Sequence, residues 1–215
     1  MSVSLPLIDP GPPNPEFAEP SDRARLERTA EALAARGFQA RVVESAEEAK
    51  RVVLELLPAG AEVHGGLSLT LTEIGVAQEI EESGRYDSIR KALSTMDRET
   101  QFREMRRLGA APDYMVGSAA AVTEEGEIVV GSGSGSQLGA YAYAAGQVIL
   151  VVGHQKIVRN LEEGIRRVRE YSLPREWVRM QGVGYPGSRL SKILVLSYEA
   201  SGRITVILVP ETLGF

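Results

Sequence analysis

The stretch QLGAYAYAAGQVILVVG, residues 137–153, decides the fold. Its last part holds five consecutive apolar residues, Val148 to Val152, between polar and glycine punctuation. Such a run, too short for a membrane span and lacking polar alternation, reads as a strand buried on both faces, the mark of a parallel sheet. The small residues before it suit a helix packed closely on that sheet.

Working outward, the same alternation of elements recurs. On the amino-terminal side, Ser21 is expected to cap a helix with Leu26, Ala30 and Leu33 inward and Gly37 as its stop. Phe38 to Val43 reads as a strand. A Ser45–Glu48 capping box opens a second helix that Pro58 ends, and Ala61 to His64 is the next strand. Thr70 with Glu73 spells another capping box, with Ile74, Ala77 and Ile80 inward. Residues 85–110 read as helical, and their Arg103, Arg106 and Arg107 as a solvated or partner-facing surface. Tyr114 to Val116 is a strand, and AVTEEGEIVV, residues 121–130, is a hairpin about Gly126. Asn160 caps a helix bearing Leu161, Ile165 and Val168. Ile193 to Ser197 and Ile204 to Val209 close the chain as strands joined by an Ala-Ser-Gly turn. The expectation is one α/β domain over residues 21–215, a three-layer sandwich with a mostly parallel sheet. Residues 1–20 hold six of the eleven prolines and read as a flexible arm.

Composition narrows the chemistry. With 24 Lys+Arg against 29 Asp+Glu, the net charge is -5, which leaves no basic surplus for a phosphate backbone, so nucleic acid is not an expected partner. There is no cysteine and there are only two histidines, His64 and His154. Thiolate zinc sites, iron–sulfur clusters and cysteine nucleophiles are excluded, and neither metal nor other cofactor is expected. No secretion signal and no apolar stretch of membrane-spanning length is read, so the expected setting is the cytoplasm, away from membranes.

Two glycine-hydroxyl loops carry the functional signal. The first, in residues 63–74, places Gly65, Gly66, Ser68, Thr70 and Thr72 between a strand and a helix expected to start near Thr72. Backbone N–H groups, the helix dipole and hydroxyls there suit a phosphate or carboxylate, although the hydroxyls also serve as plain helix caps. It is not a Walker loop, since the Gly-Lys-Ser/Thr core is missing, and it lacks the GxGxxG pattern. The second, residues 131–136, contributes Gly133, Ser134, Gly135 and Ser136, or is a flexible connection. Gly117 and Ser118 at another strand end join the ligand-binding set, as does Lys156, placed just beyond the central strand to pair an anion. Glu73 and Glu124, each beside a glycine loop, are the candidate catalytic carboxylates, with a capping role and a turn role as their structural alternatives. His64 is a candidate base or a structural histidine.

On these residues the chain resembles a known family. VHGGLSLTLTEIGV (63–76), DYMVGSAAAVTEEGEIVVGSGSGSQLGAYAYAAGQVILVVGHQKIV (113–158) and GRITVILVPETLGF (202–215) are similar to the LUD domain, or lactate-utilisation, family in a variant without cysteines, over about residues 22–215. The resemblance implies a fold like that of ribose-5-phosphate isomerase, glucosamine-6-phosphate deaminase and CoA transferases. It also implies company with iron–sulfur and FAD-type subunits in oxidation of L-lactate to pyruvate. Where lactate-operon members carry a cysteine cluster this chain reads QGVGYPGSRLSK, residues 181–192, which points to a non-redox accessory or regulatory component holding a small anion. The alternative is an enzyme of sugar phosphates or acyl-CoA. For it, Thr123-Glu124-Glu125-Gly126 is similar to the Ser-Glu-Asn-Gly motif of CoA transferases, keeping the Glu and the Gly. Self-association is compatible with all of these.

Overall fold

A computed structural model of the chain describes residues 6–215. Its strands are β1 (Gln39–Val42), β2 (Glu62–Gly65), β3 (Asp87–Ser88), β4 (Tyr114–Gly117), β5 (Ala121–Thr123), β6 (Ile128–Ser132), β7 (Gln147–Gly153), β8 (Ile157–Val158), β9 (Lys192–Leu196) and β10 (Ile204–Val209). Helices are α1 (Arg23–Ala35), α2 (Ala46–Leu56), α3 (Leu69–Glu73), α4 (Val76–Glu82), α5 (Ile89–Ser94), α6 (Phe102–Ala110), α7 (Leu161–Arg167) and α8 (Leu173–Gly182).

Six strands form an all-parallel sheet in the order β1-β10-β7-β4-β2-β3. The strand read as decisive, β7, lies inside it between β10 and β4. Its side chains alternate between two cores. Val148, Leu150 and Val152 join Leu26 and Leu33 of α1 and Ile128 of β6, while Ile149 and Val151 join Val52 of α2, Leu71 of α3 and Ile80 of α4. Helices thus cover one face of the sheet, and the other is covered by α1 and a smaller four-stranded sheet, β8-β5-β6-β9. The outer face of that second sheet carries a third core, with Val129 and Val158 against Val168 and Tyr171 of the following helical segment. The mixed α/β sandwich with a mostly parallel sheet is as the sequence leads one to expect. The hairpin at Gly126 forms as β5 and β6, paired antiparallel.

Three local expectations are corrected, and the last two strands enter different sheets. Asp22, not Ser21, caps α1: its carboxylate accepts from the Arg25 N–H at 2.7 Å, while the buried Ser21 hydroxyl accepts from the Arg25 guanidinium. Residues 85–110 are two short helices, α5 and α6, preceded by β3 and separated by turns rather than one helical run. The last two strands do not pair with each other. β9 runs antiparallel to β6 in the smaller sheet, and β10 lies between β1 and β7 in the larger one, because β10 is apolar at every position but Thr205 and is buried on both faces. Finally, α3 begins at Leu69, with Ser68 as its cap.

Within the proline-rich arm, residues 1–5 lie outside the described residues. Further on, Pro15–Ala18 forms a turn of 3-10 helix, Phe17 is buried against the third core, and the Asn14 N–H donates to the Glu170 carbonyl at 2.8 Å. The helical run after Asn160 passes from α7 through a wide turn, Val168–Ser172, into α8, at whose start sits Pro174. A wider turn there accommodates the hydrogen bond that proline cannot donate. Among the described residues, no helix is long and apolar enough to cross a membrane.

Candidate functional site

Because β2, β4, β7 and β10 are parallel, their carboxyl ends meet along one edge of the sheet. Open α/β sheets place ligands at this edge. The residues that follow those strands are Gly66 to Thr72, Ser118, His154 to Lys156 and Pro210 to Phe215. Three of them converge. The Lys156 ammonium nitrogen Nζ donates to Thr70 Oγ1 at 2.9 Å and to Ser118 Oγ at 3.1 Å. Lys156 and Thr70 are each 1% exposed. Both hydroxyls spend their own protons elsewhere, Ser118 on the Val151 carbonyl at 2.7 Å and Thr70 on the Leu213 carbonyl at 3.2 Å, which leaves their lone pairs for the amine.

Burial is the main reason why the Lys156 pKa falls to about 7; the positive charge of Arg167 lowers it further, and Glu73 pulls the other way. Arg167 is itself wholly buried, resting over the Tyr171 ring at 4.8 Å and donating to the Ala120 carbonyl and, at 3.4 Å, to Ser172 Oγ. Its Nε and Nη2 have no hydrogen-bond partner among the described residues. Burial lowers its pKa as well, yet a guanidinium stays charged at neutral pH. Two buried cations therefore sit near one strand-end cluster.

The segment after β10 covers this cluster. Gln155, 2% exposed, clamps it: Nε2 donates to the carbonyls of Leu213 at 2.9 Å and Gly214 at 3.2 Å. The Gly214 N–H donates to Glu73 Oε2 at 2.7 Å. His154 completes the strap, with its N–H donating to the Glu211 carbonyl and Nε2 3.1 Å from Thr212 Oγ1. Burial lowers the His154 pKa. At Gly117 the backbone comes so near the Tyr141 hydroxyl that no Cβ would fit, and burial pushes the Tyr141 pKa up.

The expected site residues fall into three groups. Thr70, Ser118 and Lys156 are brought together, flanked by Gly66, whose N–H donates to the Val116 carbonyl, by Gly65 at the end of β2 and by Gly117 at the end of β4. Ser68 and Thr72 are spent on the short helix: Ser68 Oγ accepts from the Leu71 N–H, and Thr72 Oγ1 donates to the Ser68 carbonyl. Gly133, Ser134, Gly135 and Ser136 form a loop bonded within itself and to Ser132 and Gln137, next to Arg189 and Lys192, with no hydrogen bond to the Lys156 cluster. Of the two carboxylates, Glu73 borders the cluster through Gly214. Glu124 instead makes an ion pair with Arg25 at 2.8 Å. His64 is partly buried with Nδ1 3.3 Å from the Gly109 carbonyl, and desolvation lowers its pKa. Among the described residues, no group of three or more His, Cys, Asp or Glu side chains is arranged to hold a metal ion.

Gln155, Arg167, Tyr141 and the Leu213–Gly214 segment were not singled out from the sequence. Arg167 had a signal: Gly164, Val168 and Tyr171 share its helix face and are buried with it. Gln155 and the strap had none, since their contacts join positions 58 and 59 residues apart.

Comparison with known proteins agrees with this architecture. The family model described as LUD domain matches residues 26–209. A DUF162 family protein from Deinococcus radiodurans has a similar crystal structure, with TM-score 0.55 and 17% identity, covering 88% of this chain and 99% of that one. At that identity the likeness speaks for the fold. A weaker likeness, TM-score 0.39 at 14% identity over 57% of this chain and 42% of the other, links it to eIF2B beta from Chaetomium thermophilum and supports no functional argument. No curated protein sequence matches significantly. With the family model spanning α1 to the end of β10, the chain belongs to the LUD domain family.

Proposed function

We propose that this lactate-utilisation-related protein is a non-redox accessory or regulatory component of L-lactate oxidation to pyruvate, and that it holds a small carboxylate at the strand-end cluster. The observation that carries this reading is the buried Lys156 between Thr70 and Ser118, with Arg167 adding positive charge and, among the described residues, no carboxylate in hydrogen-bond contact with either cation. Buried cations not directly paired with a carboxylate favour an incoming anion, because the desolvation cost is already met by the fold, even with the Glu73 charge nearby. A sequence without cysteine supplies no thiolate for iron, so the electron transfer of lactate oxidation falls to iron–sulfur and FAD-type partner subunits in the cytoplasm.

Calorimetry with L-lactate tests the ligand. Saturable binding that is weakened about tenfold or more in Lys156→Met supports the reading, since a lost charge-assisted hydrogen bond is worth roughly that factor. Equal binding by the variant, or none by the wild type, would overturn it. Affinity purification from cells oxidising lactate tests the partners; absence of the iron–sulfur and FAD-type subunits counts against an accessory role.

The alternative, an enzyme of sugar phosphates or acyl-CoA, draws support only at Glu73, whose carboxylate borders the cluster. Glu124 is occupied by Arg25.

A further inference from the structure

We propose that Lys156 is a covalent carbonyl-capturing residue that forms an imine with a small 2-oxo acid, a chemistry that rests on the carboxylate-binding reading of the same cluster. Geometry comes first. A lysine ammonium has three N–H donors, whereas a neutral amine has two and a lone pair. Here Nζ has two hydroxyl acceptors, Thr70 Oγ1 and Ser118 Oγ, both with their protons committed to backbone carbonyls. The ammonium's third N–H finds no acceptor among the described residues, so the protonated form meets an anion and loss of that one proton gives the nucleophilic amine. Seclusion from water and a second cation, Arg167, favour that loss. A desolvated lysine beside another positive group is a general way to make an amine that attacks carbonyls near neutral pH.

The step balances without a further reagent. The Nζ lone pair attacks the carbonyl carbon to give a carbinolamine. Both amine protons pass to the former carbonyl oxygen, which leaves as water, and a C=N bond remains. Thr70 and Ser118, which already accept those two N–H bonds, stand where the protons must travel. Arg167 favours the carboxylated carbonyl over a neutral ketone by charge. Access requires the Leu213–Gly214 strap to lift, since a Cβ on Gly214 would lie 3.4 Å from Nζ. The Glu73 hydrogen bond to the Gly214 N–H is one hold on that strap.

The test is reductive trapping of the full chain with pyruvate and cyanoborohydride, followed by peptide mass mapping. The chain has four lysines, so Lys156 can be compared with Lys50, Lys91 and Lys192 in the same sample. The expected result is one reduced adduct, on Lys156, formed at least tenfold faster than on the other three. Glu73→Ala should speed it roughly tenfold by freeing the strap, the scale of one hydrogen bond to a charged group. Absence of an adduct on Lys156 in both proteins, or labelling spread evenly over the four lysines, overturns the proposal. Acetone reacting as fast as pyruvate would overturn its carboxylate specificity. L-lactate has no carbonyl to trap, so its binding by calorimetry without pyruvate trapping sinks the imine and leaves the anion site intact, whereas failure of lactate to bind removes the underlying reading.

Discussion

Gly214 runs so close to Thr70 that a Cβ on the glycine would lie 2.5 Å from Thr70 Oγ1 and 2.8 Å from its backbone nitrogen. The glycine also has φ +57°, a conformation that side chains disfavour. Gly214→Ala should therefore loosen the strap, at a cost of about 1–3 kcal/mol from strain and overpacking together. Urea denaturation measures the loss, and hydrogen exchange at the Leu213 amide locates it. An alanine variant with unchanged stability and exchange would mean that the strap is not packed on Thr70.

Lys156 makes stability depend on pH in a stated direction. Its amine ordinarily ionises near 10.5 and here near 7. Between those values the unfolded chain holds a proton that the folded chain has released, so stability contributed at this position rises with pH across the window. Wild type minus Lys156→Met should climb by roughly 1.4 kcal/mol per pH unit from about pH 7 to about pH 10, with the Met variant the more stable below it. Denaturation curves for both proteins at several pH values give the slope, and a flat difference would place the amine's ionisation at its ordinary value.

Arg167→Met removes a buried cation with two nitrogens that have no partner among the described residues. Replacing such a group with an apolar one of similar length is often neutral or stabilising. The expected change in unfolding free energy is between about -1 and +2 kcal/mol in favour of the variant. At the same time the Lys156 pKa should rise, because a repelling charge has gone. The pH profile of Lys156 acylation by a small reagent reads this shift, and an unmoved profile would separate the two cations electrostatically.

Glu124→Gln is expected to change little. The Arg25–Glu124 pair is partly solvent-exposed, with side chains 28% and 31% accessible, so its loss should cost about 0–1 kcal/mol. Lactate binding should be unaffected, since Glu124 is paired away from the Lys156 cluster. A tenfold loss of affinity in this variant would reassign Glu124 to the site.

Phe17→Ala should release the arm. Phe17 is 8% exposed in the third core, and Arg166 lies 5.5 Å from its ring centre. Losing a buried ring costs about 3 kcal/mol. Exchange of the Asn14 amide, bonded to the Glu170 carbonyl, should accelerate with it. Fast exchange in the wild type would show the arm undocked from the start.

Much of this fold could be read from local pattern. β7 announced itself by five apolar residues in a row, and the Gly126 hairpin by its turn, because both signals lie within a few positions. The same locality misled at the first loop. Ser68 and Thr70 each stand three residues before a helix position suited to capping, and only the burial of Thr70 beneath Leu213 decides that Ser68 is the cap. Likewise a turn between β9 and β10 resembles that of a hairpin, although the two strands belong to different sheets. In the site, Lys156 could be placed by its position after β7. Its hydroxyl partners come from positions 38 and 86 residues away, and no periodicity encodes such a meeting.

The pairing of β1 with β10 bears on how the molecule is made. β1 hydrogen-bonds along Gln39 to Val42 with Thr205 to Leu208, and the sheet order gives it no other neighbour. On the ribosome this early strand must wait, both edges open, until all the residues between it and β10, and β10 itself, have been synthesised. Closing so long a loop is slow, and an open edge invites pairing with other nascent chains. The arrival of β10 thus closes one of the two edges of β1 and leaves the outer one as a short edge strand, and yield in the cell should depend on how quickly translation reaches β10.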